Sequence, residues 1–529
     1  VNVGNDIEMT ADILGTPDLN YISIGEAMNA GGQITFNADD AFINNAPITA
    51  LNGDAIHIYT NKFISNASIK SKEAGGANII YITNPNDLDL RDMSGPGNLI
   101  ADTYVFTAES GDIFLGNMIF GGGNLSLVAG NGTSGGNITS DPGTEISNVH
   151  TLTIDAGTAS LLGDVSINAN VNYVNVINAD DFQFNSSSPL VIFTGLPDYE
   201  MGTIHITGKD IALQDNLESN DTVTISGTNV DVNQIKGQNG IDLSATVALG
   251  IGNLYSSSGD IVLSSPFYIL DVGTTTIDTP NTVNIKDGFD PTSQVKDIIN
   301  ILSNNVSTLL LGHNACDKDI NINDISVKNF DINVNTSGAV SLTDISGPGT
   351  AIINVVSGSP QQASSINLST VPGSTLYLDN ILSSGDITLT SNIFNHTGTG
   401  VISAGPASDV SIYAITNTQD LTSIGFNAVV NHISQAKNIN IGKSGYQGNV
   451  KIVDLNVNTS NVNINTRGNV NLENVIKSGN ISTNAGNSGY DVYEANSVYI
   501  TGTDINLGKI YAKGEISVED SGTLSINDD

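Results

Sequence analysis

NVNINTRGNVNLENVIKSGNIST, residues 461–483, says nearly the same thing three times. Val462-Asn463-Ile464, Val470-Asn471-Leu472 and Ile481-Ser482-Thr483 each alternate apolar and polar residues, with Gly and Asn between them. Alternation with period 2 places the apolar side chains on one face of a strand. Similar triplets surround this stretch: Val498-Tyr499-Ile500, Ile505-Asn506-Leu507, Ile516-Ser517-Val518 and Leu524-Ser525-Ile526. They recur at a longer period, 20 residues from Val450 to Val470 and 19 from Val462 to Ile481. Short strands returning at such an interval are the mark of a solenoid.

A second phrase runs through the chain. Ser110-Gly111-Asp112-Ile113, Ser258-Gly259-Asp260-Ile261 and Ser384-Gly385-Asp386-Ile387 are near copies, and Ser478-Gly479-Asn480-Ile481 and Lys513-Gly514-Glu515-Ile516 are variants. In this phrase Gly is expected to supply a positive φ at a tight corner, and Asp or Asn to bond local backbone. Asn at equivalent corners is expected to stack into side-chain ladders. The predicted fold is all-β: a right-handed parallel β-helix of about 19–20 residues per coil, or about 25 coils. Residues 1–529 are expected to form one continuous solenoid with two interruptions. Asp290-Pro291 opens a lateral helix over 290–304, with Val295, Ile298, Ile299 and Leu302 on one face. Residues 185–201, with Pro189 and Pro197, are expected to leave the coil as a loop.

Composition narrows function by exclusion. Charged residues are 13%, and 54 Asp and Glu stand against 17 Lys and Arg, a net charge of -37. Only Arg91 and Arg467 are arginine. Nucleic acid and anionic membrane surfaces both demand basic clusters, so neither is an expected partner. Hydrophobic residues make up 39% and the acids are spread thinly, so a core can form. Cys316 is the single cysteine, which excludes an internal disulfide. It reads as a small buried residue. Little charge with much Asn, Ser, Thr and Gly suits an extracellular β-rich protein. The chain opens at Val1 without a signal-peptide pattern, so a leader is expected to have been removed or to lie upstream.

The segments Gly31 to Thr60 (GGQITFNADDAFINNAPITALNGDAIHIYT) and Val295 to Asp324 (VKDIINILSNNVSTLLLGHNACDKDININD) resemble coils of filamentous-haemagglutinin-type exoproteins. So do the SGDI phrases, and autotransporter passenger domains share the style. The resemblance is spread over most of the chain and rests on repeat style. It implies a right-handed parallel β-helix at the surface of a Gram-negative bacterium, carried out by an outer-membrane transporter. Its role would be adhesion, in virulence or between cells. The secretion motif of the NPNGI type is only partly echoed by Asn84-Pro85-Asn86-Asp87-Leu88, and LSINDD is not the terminal strand of a barrel.

Motifs for chemistry are weak. Gly132-Thr133-Ser134-Gly135-Gly136 matches a nucleophile elbow and Gly130 to Gly135 a dinucleotide loop, but both need a following helix. The six His (57, 150, 205, 313, 396 and 432) are scattered, and only His313 and Cys316 are close in sequence. Asp317 to Asp324 starts like a calcium loop but has Ile322 and Lys328 where Gly and Glu are required. Asp87, Asp89 and Arg91 are expected on one solvated strand face. Asp39-Asp40 and Asp180-Asp181 are expected to point to opposite faces, the wrong geometry for paired carboxylates. No catalytic, cofactor-binding or metal residue is assigned, and weak calcium binding at Asp-rich corners is the one cofactor expectation.

The expected function is therefore that of a non-enzymatic, surface-exposed adhesin: a passenger rod binding host or bacterial receptors or glycans through many polar contacts. The alternative is a surface-layer (S-layer) or filament subunit that self-associates. A third possibility is the shaft of a contact-dependent toxin.

Overall fold

The structure, a computed structural model, describes the chain except residues 1, 12–20, 53–54, 72–77, 93–98, 131–134, 159–160, 196–200, 271–274, 289–294, 314–315, 324, 327–329, 347–351, 356–361, 397, 444, 459, 477, 484–494, 496, 503–504, 511–514, 521–522 and 527–529. The described residues form an all-β parallel β-solenoid of about 19 turns with two short helices among them, the right-handed β-helix that the repeats predict. The chain divides into two compact units: Val1–Gly259 with Gly273–Thr275, and Asp260–Val272 with Thr276–Asp529.

In the first unit, parallel in-register pairing builds columns of buried side chains. One column runs Leu88, Ile113, Ile138, Val165, Phe182, Ile204, Val223 and Ile241, each partner lying directly on the next. None of them is more than 2% exposed. The step along this column varies from 17 residues (Val165 to Phe182) to 27 (Ile138 to Val165). The coils are thus more variable than 19–20 residues, and fewer of them fill the chain. The pleat fixes only which residues face inward, and corners between strands absorb extra length at little cost. A small five-stranded sheet forms a further face, from Asn2–Val3 through Met28–Ala30, Ile48–Ala50 and Ile69–Lys70 to Leu99–Ile100. Pairing turns antiparallel at one described place, where Gly157 and Thr158 meet Leu162 and Leu161.

In the second unit a ten-stranded sheet carries Ile320, Val340, Ile366, Ile387, Val410, Ile439, Val462, Ile481, Leu507 and Ile526 in one column. A four-stranded sheet stacks Val450, Val470, Val498 and Ile516. Residues 461–483 wrap from the ten-stranded sheet to the four-stranded one and back. Val462, Ile464, Val470, Leu472 and Ile481 are all fully buried. Between them Thr466 turns the corner: its hydroxyl donates to the Gly448 carbonyl and accepts from the Gly468 amide at 2.8 Å.

The two expected interruptions fare differently. Within the expected loop excursion 185–201, the segment 190–195 stays in the coil: Leu190–Gly195 is a strand paired on both sides, with Val191 and Phe193 fully buried, and 196–200 lie outside the described residues. Two prolines suggest a break, yet Pro189 still works at the strand's start, where its carbonyl accepts the Asp210 amide at 3.2 Å. Pro197 lies outside the described residues. The lateral helix is α1, Val295–Ile301, and it buries Val295, Ile298 and Ile299 as the pattern requires. Its expected cap, Asp290-Pro291, lies outside the described residues.

The SGDI phrase works differently from expectation. None of Gly111, Gly259 and Gly385 has a positive φ. Each is glycine because the preceding coil passes too close for a side chain. A Cβ on Gly111 would lie 2.2 Å from Asp87 Oδ1, on Gly259 1.8 Å from the Asn239 carbonyl oxygen, and on Gly385 2.0 Å from that of Ser364. The following Asp caps the coil above. Asp87 Oδ1 accepts the Asp112 amide at 2.9 Å, Asp112 Oδ1 that of Asn137 at 2.7 Å, and Asn137 Oδ1 that of Asp164 at 2.8 Å. The chain of acceptors continues through Asp164 to Asp181 at 3.4 Å and from Asp181 to Thr203 at 2.7 Å. True amide ladders occur as well, from Asn461 to Asn438 at 3.1 Å and from Asn463 to Asn440 at 3.0 Å.

Alanine at Gly111 or Gly385 should cost about 1–3 kcal/mol through forced displacement of the neighbouring coil. Gly4 and Gly25 should tolerate it, since an added methyl group would meet nothing within 4 Å. Chemical denaturation of the four variants checks this contrast. At the next position Asp112→Asn should keep the acceptor and stay near wild type, whereas Asp112→Ala should lose about 1 kcal/mol.

Candidate functional site

The strand Ile56–Ser65 points Ile56 and Ile58 inward and His57 and Tyr59 outward. On the next coil Ile79–Asn84 points Ile80 and Ile82 inward and Tyr81 outward, in register with His57. Parallel pairing therefore brings together two rings that are a full coil apart in sequence: His57 and Tyr81 stack at 4.6 Å and 4°. Tyr59 lies parallel to His57 within 11° at 6.4 Å and is 41% exposed. The flanking members of the row, Thr35 and Val105, are shorter, so the rings stand above their neighbours. Partial burial lowers the pKa of His57, which keeps the imidazole neutral near pH 7.

Past the next corner the surface sinks into a recess of about 410 Å³. The corner is locked by the buried Asn84, whose amide donates to Asn61 Oδ1 and whose Oδ1 accepts the Asn86 amide at 2.7 Å. Lys62, Asp89 and Phe114 follow one another along the stack. Arg91 turns back over this row. Its Nε and Nη2 donate to the two Asp89 oxygens at 3.0 and 2.9 Å, and its guanidinium carbon lies 5.0 Å from the centre of the Phe114 ring. Lys62 pairs with Asp92. The Arg91 hydrogen bond pulls the Asp89 carboxyl below its usual range, and the bond to Asp92 raises the Lys62 ammonium. Asp89 does project from the strand Leu88–Leu90 as expected, but Asp87 belongs to the corner ladder and Arg91 is folded onto its neighbours.

The chemistry of this surface is hydrogen bonding and ring contact. Its cations are each engaged by a carboxylate, and its carboxylates are occupied as partners or caps. Comparisons with known protein families, with curated proteins and with solved structures find no match. Its geometry is what remains to indicate a role.

Other sequence candidates fall as follows. Ser134 lies outside the described residues, and the next element is the strand Ile138–Ser140 rather than a helix. The Cys316 amide donates to the His313 carbonyl at 2.9 Å, and Cys316 is buried. Ile320–Asn323 is a strand with Ile320 and Ile322 inside, and Asp319 accepts the Ala339 amide at 2.8 Å. Among the described residues no three His, Cys, Asp or Glu side chains group as metal ligands. Asp39 and Asp40 lie where the register between Ala38 and Ala41 shifts, so strand alternation does not apply to them. Nor does it apply to Asp180 and Asp181. They sit at a corner, and a Cβ on Gly202 would lie 2.8 and 2.4 Å from their Oδ1 atoms, so both carboxylates face one glycine rather than opposite ways. Burial and the neighbouring Asp181 and Asp164 charges raise the Asp180 pKa.

Two functional-looking features escape the sequence. The helix α2, Ile424–Asn431, is only eight residues long, and its one signal is the cap residue Ser423, whose oxygen accepts the Phe426 amide at 3.1 Å. His396 and His432 stack at 3.8 Å although no spacing rule links them.

Replacing Arg91 by Lys should break the fork and the ring contact together. The Asp89 carboxyl should then titrate closer to the ordinary aspartate value, which NMR titration of the side-chain carboxyl reads directly. Because the folded pKa is depressed, the small stabilisation it gives is present above that ordinary value and fades as pH falls through the depressed one.

Proposed function

We propose that this protein is a surface-exposed β-helical adhesin, exported from a Gram-negative cell, that attaches to glycans or glycan-bearing receptors. The observation that carries the proposal is the Tyr59–His57–Tyr81 ring cluster standing beside a polar recess on an outer face. Outward-pointing rings in a chain with 5% aromatics have no role in packing the core. Aromatic edges flanked by amide and hydroxyl groups match the apolar and hydroxyl-bearing faces of a sugar. The Asn-, Ser- and Thr-rich strands around them add many weak polar contacts, and the resemblance to haemagglutinin-type exoproteins points the same way. Transport across the outer membrane by a partner protein belongs to the same proposal.

A second reading is favoured by composition. A net charge of -37 suits a surface-layer or filament subunit whose copies are bridged by calcium. Assembly separates the two: a lattice subunit forms sheets or fibres by itself when calcium is added, and an adhesin stays dispersed.

The double variant Tyr59→Ala, Tyr81→Ala should keep the wild-type melting transition, since both side chains point outward. It should lose about tenfold or more in binding on a glycan array and in attachment of coated beads to cells. Unchanged binding by the folded double variant would place attachment elsewhere.

A further inference from the structure

The helix α2 replaces a strand within a coil of the second unit. It lies against the strand Ile393–His396 and buries Phe426, Val429 and Val430. The approach is so close that a Cβ on Gly425 would fall 1.9 Å from the Phe394 carbonyl oxygen. On its other side α2 imitates the ladder it displaces. Asn427 Oδ1 accepts the Val453 amide at 2.8 Å, and Asn431 Nδ2 donates to the Val453 carbonyl at 2.9 Å. One helical turn thus satisfies both backbone groups that a paired strand would have served.

The C-terminal end of this helix is closed by His432. Its backbone amide and its Nδ1–H both donate to the Ala428 carbonyl, at 3.1 and 2.8 Å. Its ring lies on that of His396, at 3.8 Å and 17°. His396 donates from Nε2 to the Asp379 carbonyl at 3.1 Å. That leaves Nδ1 as a bare acceptor, and this atom is buried with no hydrogen-bond partner. While neutral, each ring donates its one N–H to a backbone carbonyl. A proton on His396 Nδ1 would enter a buried site with no acceptor, one ring away from a second imidazole.

We propose that the stacked His396–His432 pair is an acid-released latch that holds α2 against the coil. The charged surroundings offer little relief. α2, Ile393–His396 and Ile433–Gln435 carry no charged side chain other than the two imidazoles. On the strand below, the Asp379 carboxylate is taken by the Gly400 amide at 2.8 Å and the Asn380 side chain at 3.2 Å. On the strand above, Lys451 pairs with Glu473 at 2.8 Å, and Asp454 beyond it accepts from Asn474 at 2.6 Å. Burial first, and then the His432 ring, lower the His396 pKa, against a smaller opposing pull from Asp379. The folded state therefore binds fewer protons than the unfolded one. The latch is closed above about pH 6.5 and weakens as pH falls below it. Release would free Val453 and uncover the Phe394–Phe426 contact, enlarging the apolar surface that Ile424 and Ile393 already expose.

Hydrogen exchange of the whole protein, corrected for intrinsic rates, tests this at about pH 7.5 and about pH 5. Exchange at residues 424–431 and at Val453 should accelerate about tenfold more on acidification than exchange in the strand Asn461–Ile464. The excess should vanish in His396→Phe, which keeps a ring and loses the titrating nitrogen, or in His396→Gln; whichever variant folds decides. No excess in the wild type, or an excess that survives in a folded variant, overturns the proposal. If neither variant folds, NMR titration of the wild-type imidazoles decides. An α2 amide shift that follows His396 protonation supports the latch, and α2 shifts independent of it refute it.

Discussion

Each coil has to approach the one before it closely enough for a strand to pair along its length, and the corners are where that approach is tightest. Backbone meets backbone there with no room for a methyl group, as the spaces above Gly111, Gly259 and Gly385 show. The same corners leave an amide that no strand partner reaches. An Asp or Asn from the coil below accepts it, five times in succession from Asp87 to Thr203. Close approach and amide capture go together at four of the five, which follow Gly111, Gly136, Gly163 and Gly202; the fifth, at Asp181, follows Asp180 and is the longest, at 3.4 Å. The buried columns of Ile, Val and Leu depend on this, because coils that stood apart at the corners could not stay in register on the faces.

Register in turn makes the surface. A parallel stack sets equivalent positions of successive coils side by side, so the outward residues form rows as regular as the core. Most rows hold Asn, Ser and Thr. Where His57, Tyr59 and Tyr81 fall into neighbouring places, the row becomes a ring cluster, and where Lys62, Asp89 and Phe114 do, it becomes a recess roofed by Arg91. In the second unit α2 interrupts the rows, and two asparagines on one helical turn restore the broken hydrogen bonds to Val453. The interruption is thereby made compatible with the stack, and it brings along the only pair of stacked imidazoles among the described residues.

What the sequence by itself determined follows from local rules. Period-2 alternation marked the strands and their inward residues, so Val462, Ile464, Val470 and Leu472 could be placed in the core from the pattern alone. The apolar spacing of Val295, Ile298 and Ile299 marked α1. The recurrence of SGDI marked the corners and hence a solenoid. Only the tertiary structure decided which residues meet across coils. The step between coils ranges from 17 to 27 residues in one column of the first unit, so no fixed spacing links His57 to Tyr81 or His396 to His432. It also decided why the corner glycines are glycine. Space beside a residue belongs to its neighbour in the next coil, and a single strand of sequence does not record that neighbour.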